Sequence, residues 1–290
     1  MPVTPAESAA MQRAIVLARR GEGWVEPNPM VGAVVLAPDG VVLGEGWHKR
    51  FGGDHAEVMA LAAAGERARG GTLVVTLEPC AHHGKTPPCV DAILAAGIRR
   101  VVFSADDPSP HAGGRGSSTL RAAGVAIEAG LLEDEGIRLT RPFRTLVGRG
   151  RPWLIAKWAM SLDGRVATAL GESRWISCDD SRRIAHELRG RVDAVMIGIG
   201  TAIADDPLLT ARPPGPRRAL RVVCDSAARL PPGSKLVQGA RDVPTMVVVG
   251  PDAPTERLRT LEGHGCEILS CSGANGPERM VSLLEILGQR

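Results

Sequence analysis

Short apolar runs alternate with stretches of three- and four-residue hydrophobic spacing, and this alternation predicts a mixed α/β protein. Thr4-Pro5-Ala6-Glu7 reads as a helix-starting capping box, and Met11, Ile15 and Ala18 follow at helical spacing until Gly21 ends the helix. Pro27-Asn28-Pro29 reads as a stiff extended segment. It feeds a strand from Val31 to Leu36, which Pro38-Asp39-Gly40 turns back into a second strand from Val41 to Trp47. Asp54 is placed to cap a helix beginning near His55, with Val58, Met59, Leu61 and Ala62 on its buried side. Thr72 to Leu77 has the apolar run of a buried central strand. Pro88 and Cys89 begin a helix that passes Ile93 and Ala96 and stops at Gly97, and Arg100 to Ser104 is the next strand. Asp106-Asp107-Pro108-Ser109-Pro110 opens a polar loop that ends in Gly113-Gly114-Arg115-Gly116. Leu131 to about Gly148 reads as one charged helix.

Gly148-Arg149-Gly150-Arg151-Pro152 has the composition of a linker, so the expected domains are residues 1–150 and 151–290. In the second, Trp153 to Met160 reads as a strand, and Ser177 with Asp180 as the cap of a helix running through Arg189. Strands are expected at Val192 to Ile197, Leu220 to Cys224, Thr245 to Val249 and Glu267 to Leu269, with helices from Pro254 and Pro277. This order of strands and helices predicts a mostly parallel sheet.

Composition narrows the class. The 290 residues are 44% hydrophobic and 23% charged, which suits two globular domains and not a disordered chain. A net charge of +3, no Tyr and 3% aromatics supply neither the basic groove nor the stacking platforms of a nucleic-acid binder. No apolar run is long enough to span a bilayer, and Thr4, Pro5, Glu7 and Ser8 do not resemble a signal peptide; the expectation is a cytoplasmic protein. Six cysteines do not make a disulfide scaffold in a chain of this size. Cys178, Cys224, Cys266 and Cys271 have no ligand-like neighbours in sequence and read as buried or idle reduced thiols.

Residues 55 to 89 carry the chemistry. His55, Cys80 and Cys89 are zinc-type ligands, and three protein ligands leave the fourth tetrahedral position to water, the arrangement of catalytic sites. Two thiolates and a neutral imidazole nearly cancel the dication, and water bound there ionises with a pKa of about 7. Glu57, two residues past His55, is placed to exchange protons with that water without binding metal. H-x-E followed by Pro-Cys is the layout of zinc nucleobase deaminases, although the second Cys here comes nine residues after the first instead of in C-x-x-C.

Pro27-Asn28-Pro29-Met30-Val31-Gly32, His55-Ala56-Glu57 and Thr76 to Cys89, with its His-His-Gly-Lys-Thr-Pro-Pro insert, resemble the deaminase half of the bifunctional riboflavin-biosynthesis deaminase/reductases. Lys157, Ser161-Leu162-Asp163-Gly164, Gly171-Glu172-Ser173-Arg174-Trp175 and the run from Gly200-Thr201 through Asp205-Asp206-Pro207 to Arg212 resemble the reductase half. The resemblance implies a cytidine-deaminase-like three-layer domain followed by a dihydrofolate-reductase-like domain. It implies zinc and NADPH as cofactors and a pyrimidine ribosyl phosphate as substrate. It places Asn28, His82, Lys85 and Asp107 on the deaminase substrate. Ala159, Trp175, Thr201, Asp205 and Ser226 fall where NADP binds; Lys157, Ser173, Arg189, Leu209 and Arg212 fall on the reductase substrate.

Bland readings stay open beside these. Asn28 also serves as a turn residue, His82 and Lys85 as solvated surface groups, Trp175 as a core residue and Asp205 as an N-cap. Gly198-Ile199-Gly200-Thr201 after a strand can cradle a phosphate, but the full dinucleotide fingerprint is missing. Two departures from the family pattern stand out. Ser109 occupies a position where the family usually has Asn. The family pattern also continues past this chain's end to a Glu-Gly-Gly loop, so the second domain is expected to be incomplete, and to form a homo-oligomer through that domain. A deaminase with a merely structural second half and a nucleic-acid base editor are the rival readings.

Overall fold

The computed structural model describes residues 2–110 and 112–290. The chain forms two compact units, Met1–Trp153 and Leu154–Arg290.

In the first unit, helix α1 (Pro5–Ala18) precedes strands β1 (Gly32–Leu36) and β2 (Val42–Trp47), helix α2 (Ala56–Ala64), strand β3 (Thr72–Leu77) and helix α3 (Cys89–Ala95). Strand β4 (Arg100–Ala105), helix α4 (Arg115–Ala122), strand β5 (Ala126–Ala129) and helices α5 (Glu133–Leu139) and α6 (Arg141–Arg149) follow. The sheet order is β2-β1-β3-β4-β5, with β1 antiparallel to β2 and β3, and β3, β4 and β5 parallel. Pleating sends alternate side chains to opposite faces. Ala33, Val35, Leu73, Val75 and Phe103 pack against α2, α3 and α4, while Val34, Leu36, Val74 and Val102 pack against Met11, Ala14 and Ile15 of α1. A three-layer sandwich results.

The capping box at α1 forms as expected: Glu7 N–H donates to Thr4 Oγ1, and Thr4 N–H donates to Glu7 Oε2. The other oxygen of Glu7 accepts from Arg100 Nε at 2.7 Å, a buried ion pair linking α1 to the start of β4. Burial by itself raises the pKa of Glu7, but the Thr4 N–H and the Arg100 guanidinium outweigh it and hold the carboxyl below its ordinary value. α2 lies directly on β2 because β2 offers glycines. A Cβ at Gly46 would stand 2.4 Å from the carbonyl oxygen of Ala56, and one at Gly44 would stand 2.3 Å from that of Ala60.

Several local expectations are corrected. Residues 27–28 form a turn after a cis Glu26–Pro27 bond instead of an extended segment. His55, not Asp54, is the N-cap residue of α2, and the buried side of α2 is Ala56, Glu57, Ala60, Leu61 and Ala64, with Ala62 exposed. Two helices replace the single one expected at 131–148, because Pro142 in the first turn of α6 has no N–H to continue the ladder of α5. The Gly-rich loop ends sooner than expected: Gly114, at φ 74°, leads straight into α4.

The second unit holds α7 (Asp179–Arg189), β6 (Ala194–Gly198), α8 (Ile199–Asp205), β7 (Leu220–Cys224), α9 (Lys235–Gln238), β8 (Thr245–Val249), α10 (Thr255–Gly263), β9 (Glu267–Ser270) and α11 (Gly276–Gly288). Strands β6-β7-β8-β9 form a parallel sheet in that order. α8, α9 and α10 cover one face through Val223 and Val247, and α11 covers the other through Val222, Met246 and Leu283. The expected strand at 153–160 is not one: residues 152–160 carry no helix or strand, and Leu154, Ile155, Trp158 and Met160 are exposed. Apolar residues alone do not make a strand; ladder partners do, and no described strand pairs with this stretch. Ser177 does not cap α7, whose N-cap residue is Cys178.

Candidate metal centre

Three chain segments deliver the ligands. His55 precedes α2 in an extended conformation, Cys80 follows Pro79 just beyond the end of β3, and Cys89 is the first residue of α3. Their ligand atoms all lie within 4.8 Å of one another. His55 Nδ1 is 3.1 Å from Cys89 Sγ and 3.6 Å from Cys80 Sγ. A tetrahedral zinc ion with ordinary Zn–N and Zn–S bonds separates nitrogen from sulfur by about 3.5 Å, so the three donors fit.

Charge fits as well. The Cys80 thiol is drawn down to about 4, chiefly by its hydrogen bond with Cys89 and further by His55, whereas the same bond and burial push Cys89 up. A cation between the two sulfurs favours both as thiolates. The imidazole of His55 is raised, first by its bond with Cys80. Glu57 sits in the first turn of α2, 4% exposed, and burial raises its pKa. No fourth His, Cys, Asp or Glu joins the cluster among the described residues, which leaves the remaining position to solvent or substrate.

His55 and Cys80 open onto a cavity of about 400 Å³ lined by Asn28, His48, Glu57, Lys85, Asp107 and Phe143, among others. Asn28, His82, Lys85 and Asp107 therefore share one cavity with the ligands His55 and Cys80. Lys85 Nζ lies 3.9 Å from the centroid of the Phe51 ring, which holds it as a cation–π partner. Asp107 Oδ1 accepts from both the N–H and the hydroxyl of Ser109, so the serine found in place of the usual Asn shapes its own loop.

Sequence reasoning missed several residues here. His48 is buried; its Nδ1 donates to the carbonyl of Asp54, so its Nε2 accepts from Asn28 Nδ2 at 3.2 Å. Burial lowers the pKa of His48, which favours the neutral ring that this role needs. Glu78, also buried, accepts from the N–H groups of Gly114 and Ser117 and ties the start of α4 to the end of β3. Phe143 reaches the cavity from α6, which Arg144 anchors by donating to the Asp106 carbonyl. The one visible hint was Glu78, which stands directly before the Pro-Cys of the ligand motif.

In the second unit, β6 and β7 are adjacent and in register from Ala194↔Leu220 to Gly198↔Cys224. Thr201, in α8, and Ser226, just past β7, therefore leave the sheet at the same carboxyl edge, where ligands gather in open α/β sheets. Asp205 ends α8, so it is not an N-cap. Trp175 is 71% exposed, with Arg182 4.4 Å from its ring centroid, and is not a core residue. Burial lowers the pKa of Arg189, and the positive charge of Arg212 lowers it further. His186, overlooked in the sequence, joins them: its Nδ1 accepts from the Arg212 backbone N–H at 3.2 Å. Leu209 is buried and holds φ at 56°, Ser173 and Ala159 are half-buried, and Lys157 is exposed.

Two family models cover the chain: the cytidine and deoxycytidylate deaminase zinc-binding region over residues 5–105, and the RibD C-terminal domain over residues 152–290. Riboflavin biosynthesis protein RibD of Aquifex aeolicus is 41% identical over 277 residues, 95% of this chain and 77% of its own length. The chain belongs to the RibD family. The RibD of Escherichia coli is 44% identical over 241 residues, 79% of this chain and 65% of its own. The crystal structure of a diaminohydroxyphosphoribosylaminopyrimidine deaminase/5-amino-6-(5-phosphoribosylamino)uracil reductase from Thermotoga maritima superposes with a TM-score of 0.85 at 39% identity, over 98% of this chain and 78% of that one. Acinetobacter baumannii RibD does so with a TM-score of 0.82 at 37% identity, over 98% and 77%. The first unit is thus a deaminase-like domain, and the second a RibD-type, dihydrofolate-reductase-like domain.

Proposed function

We propose that this chain hydrolytically deaminates 2,5-diamino-6-ribosylamino-pyrimidinone 5'-phosphate and then reduces the ribosyl group of the product to a ribityl chain. Membership of the RibD family makes it a riboflavin-biosynthesis enzyme with deaminase and reductase activities that use zinc and NADPH. The observation that carries the deaminase reading is three zinc-type ligands within 4.8 Å of one another, two of which, His55 and Cys80, line one cavity with the buried Glu57.

His55, Cys80 and Cys89 would hold zinc, which when bound would supply a water that ionises near neutral pH. Glu57 takes the proton from that water and returns it to the departing ammonia. Its raised pKa suits both halves of the exchange, since a carboxylate that reprotonates easily is a better shuttle. Asn28, oriented by His48, offers its amide carbonyl to the pyrimidine. His82 and Asp107 border the ring and its substituents, and Lys85 meets the phosphate. In the second unit, Thr201, Asp205, Ser226, Ala159 and Trp175 would hold NADPH, which when bound would supply hydride to the ribose carbon. Arg189 and Arg212 take the phosphate in bidentate fashion, with Lys157, Ser173 and Leu209 around the sugar.

The residue assignments rest on motif matches and on the shared cavity and edge positions described above. The exposed Leu154, Ile155, Trp158 and Met160 support a homo-oligomer formed through the second unit.

The test supplies the diaminopyrimidinone phosphate with and without NADPH. Ammonia is released in both cases, and NADPH is consumed only after ammonia appears. Failure to release ammonia from a zinc-loaded protein overturns the reading.

A further inference from the structure

The metal reading fixes one nitrogen of His55 and leaves the other to be explained. Nδ1 faces both sulfurs, at 3.1 and 3.6 Å. With Nδ1 as ligand, the neutral imidazole carries its proton on Nε2. Thr86 Oγ1 lies 3.3 Å from Nε2. A hydroxyl has lone pairs to receive that proton. Ring-to-ring contact with His48, edge-on at 5.5 Å between centroids, limits the remaining freedom of His55. Thr86 is itself set by its loop: its carbonyl accepts from the N–H of Gly84, and Pro87 and Pro88 lead rigidly from it to Cys89.

We propose that Thr86 is a positioning residue of the metal centre, which accepts the Nε2 proton of His55 and fixes the tautomer and ring plane for zinc. One loop then provides both a ligand, Cys89, and the support of a second ligand, His55. This inference rests on the zinc reading and is separable from it.

The test measures zinc affinity by competition with a chromogenic chelator in the full chain, wild type against Thr86→Val and Thr86→Ser. Valine keeps the shape without the acceptor; serine keeps the acceptor. Losing such an outer partner typically costs roughly 10- to 100-fold in metal affinity. Thr86→Val is expected to fall by that factor and Thr86→Ser to hold close to wild type. The exchange-protected Nε2–H resonance of His55 in the zinc-loaded protein is expected in the wild type and serine proteins and lost in the valine protein. Should Thr86→Val not fold, Thr86→Ala takes its place in both measurements. Unchanged zinc affinity in the valine or alanine protein overturns the proposal, and so does a defect confined to KM, which would make Thr86 a substrate contact. A wild-type protein that binds no zinc overturns the metal reading itself.

Discussion

Glu57 and the three ligands make separable demands on chemistry. Glu57 does not join the ligand cluster, so Glu57→Gln is expected to retain one zinc per chain while deamination falls by roughly 10²- to 10⁴-fold. Zinc analysis beside an ammonia assay checks both halves. Cys89→Ser removes a thiolate, and its zinc content is expected to drop together with its activity. The buried pair of Glu7 and Arg100 belongs to stability instead. Removing one partner of a buried ion pair costs about 3 kcal/mol when nothing replaces it, and less here because Arg100 also lies 3.5 Å from Glu128; Glu7→Gln is therefore expected to lower the denaturation midpoint modestly without changing zinc binding. The folded pKa of Glu7 lies below its unfolded value, so its contribution is complete above the ordinary carboxylate range and fades as pH falls through the folded pKa. Wild type should lose stability on acidification more steeply than Glu7→Gln, as urea melts at several pH values will show.

At the scale of elements, the site depends on how closely α2 approaches β2. Gly46→Ala would place a methyl 2.4 Å from the Ala56 carbonyl and 2.5 Å from the Ala60 nitrogen, backbone atoms that cannot swing aside. The helix must lift, carrying His55 and Glu57 with it. Weakened zinc binding together with a lowered melting temperature is the expected outcome, and a fully active Gly46→Ala protein would show that α2 tolerates displacement. The sequence made the central strands legible: β3, β7 and β8 have the bounds expected of them, because each is a short apolar run closed by polar or turn residues. The ligands were legible for a similar reason, since His55-Ala56-Glu57 and Pro79-Cys80 are local motifs. His48, Glu78, Thr86 and Phe143 were not, because what places them at the cavity is tertiary: a strand's end, a helix start 36 residues away, a loop folded back on a ligand. α4 was hidden by its polar Arg-Gly-Ser-Ser-Thr start, and the segment at 152–160 misled because apolar composition says nothing about pairing.

For the whole molecule, two compact units with separate cores imply two separately tunable stabilities. A chelator is expected to lower the transition of the first unit and leave the second unmoved. NADPH at about 100 times its Kd is expected to stabilise the second by about 2.7 kcal/mol and leave the first unmoved. Calorimetry with each ligand in turn distinguishes this from a single cooperative body.

The most direct measurement is the rate of ammonia release from the diaminopyrimidinone phosphate by three preparations: zinc-loaded wild type, the same protein stripped by chelation and restored with zinc, and zinc-loaded Glu57→Gln. The expected result is activity in the first, loss and recovery in the second, and almost none in the third at equal metal content. Full turnover by the stripped protein or by Glu57→Gln would contradict the account.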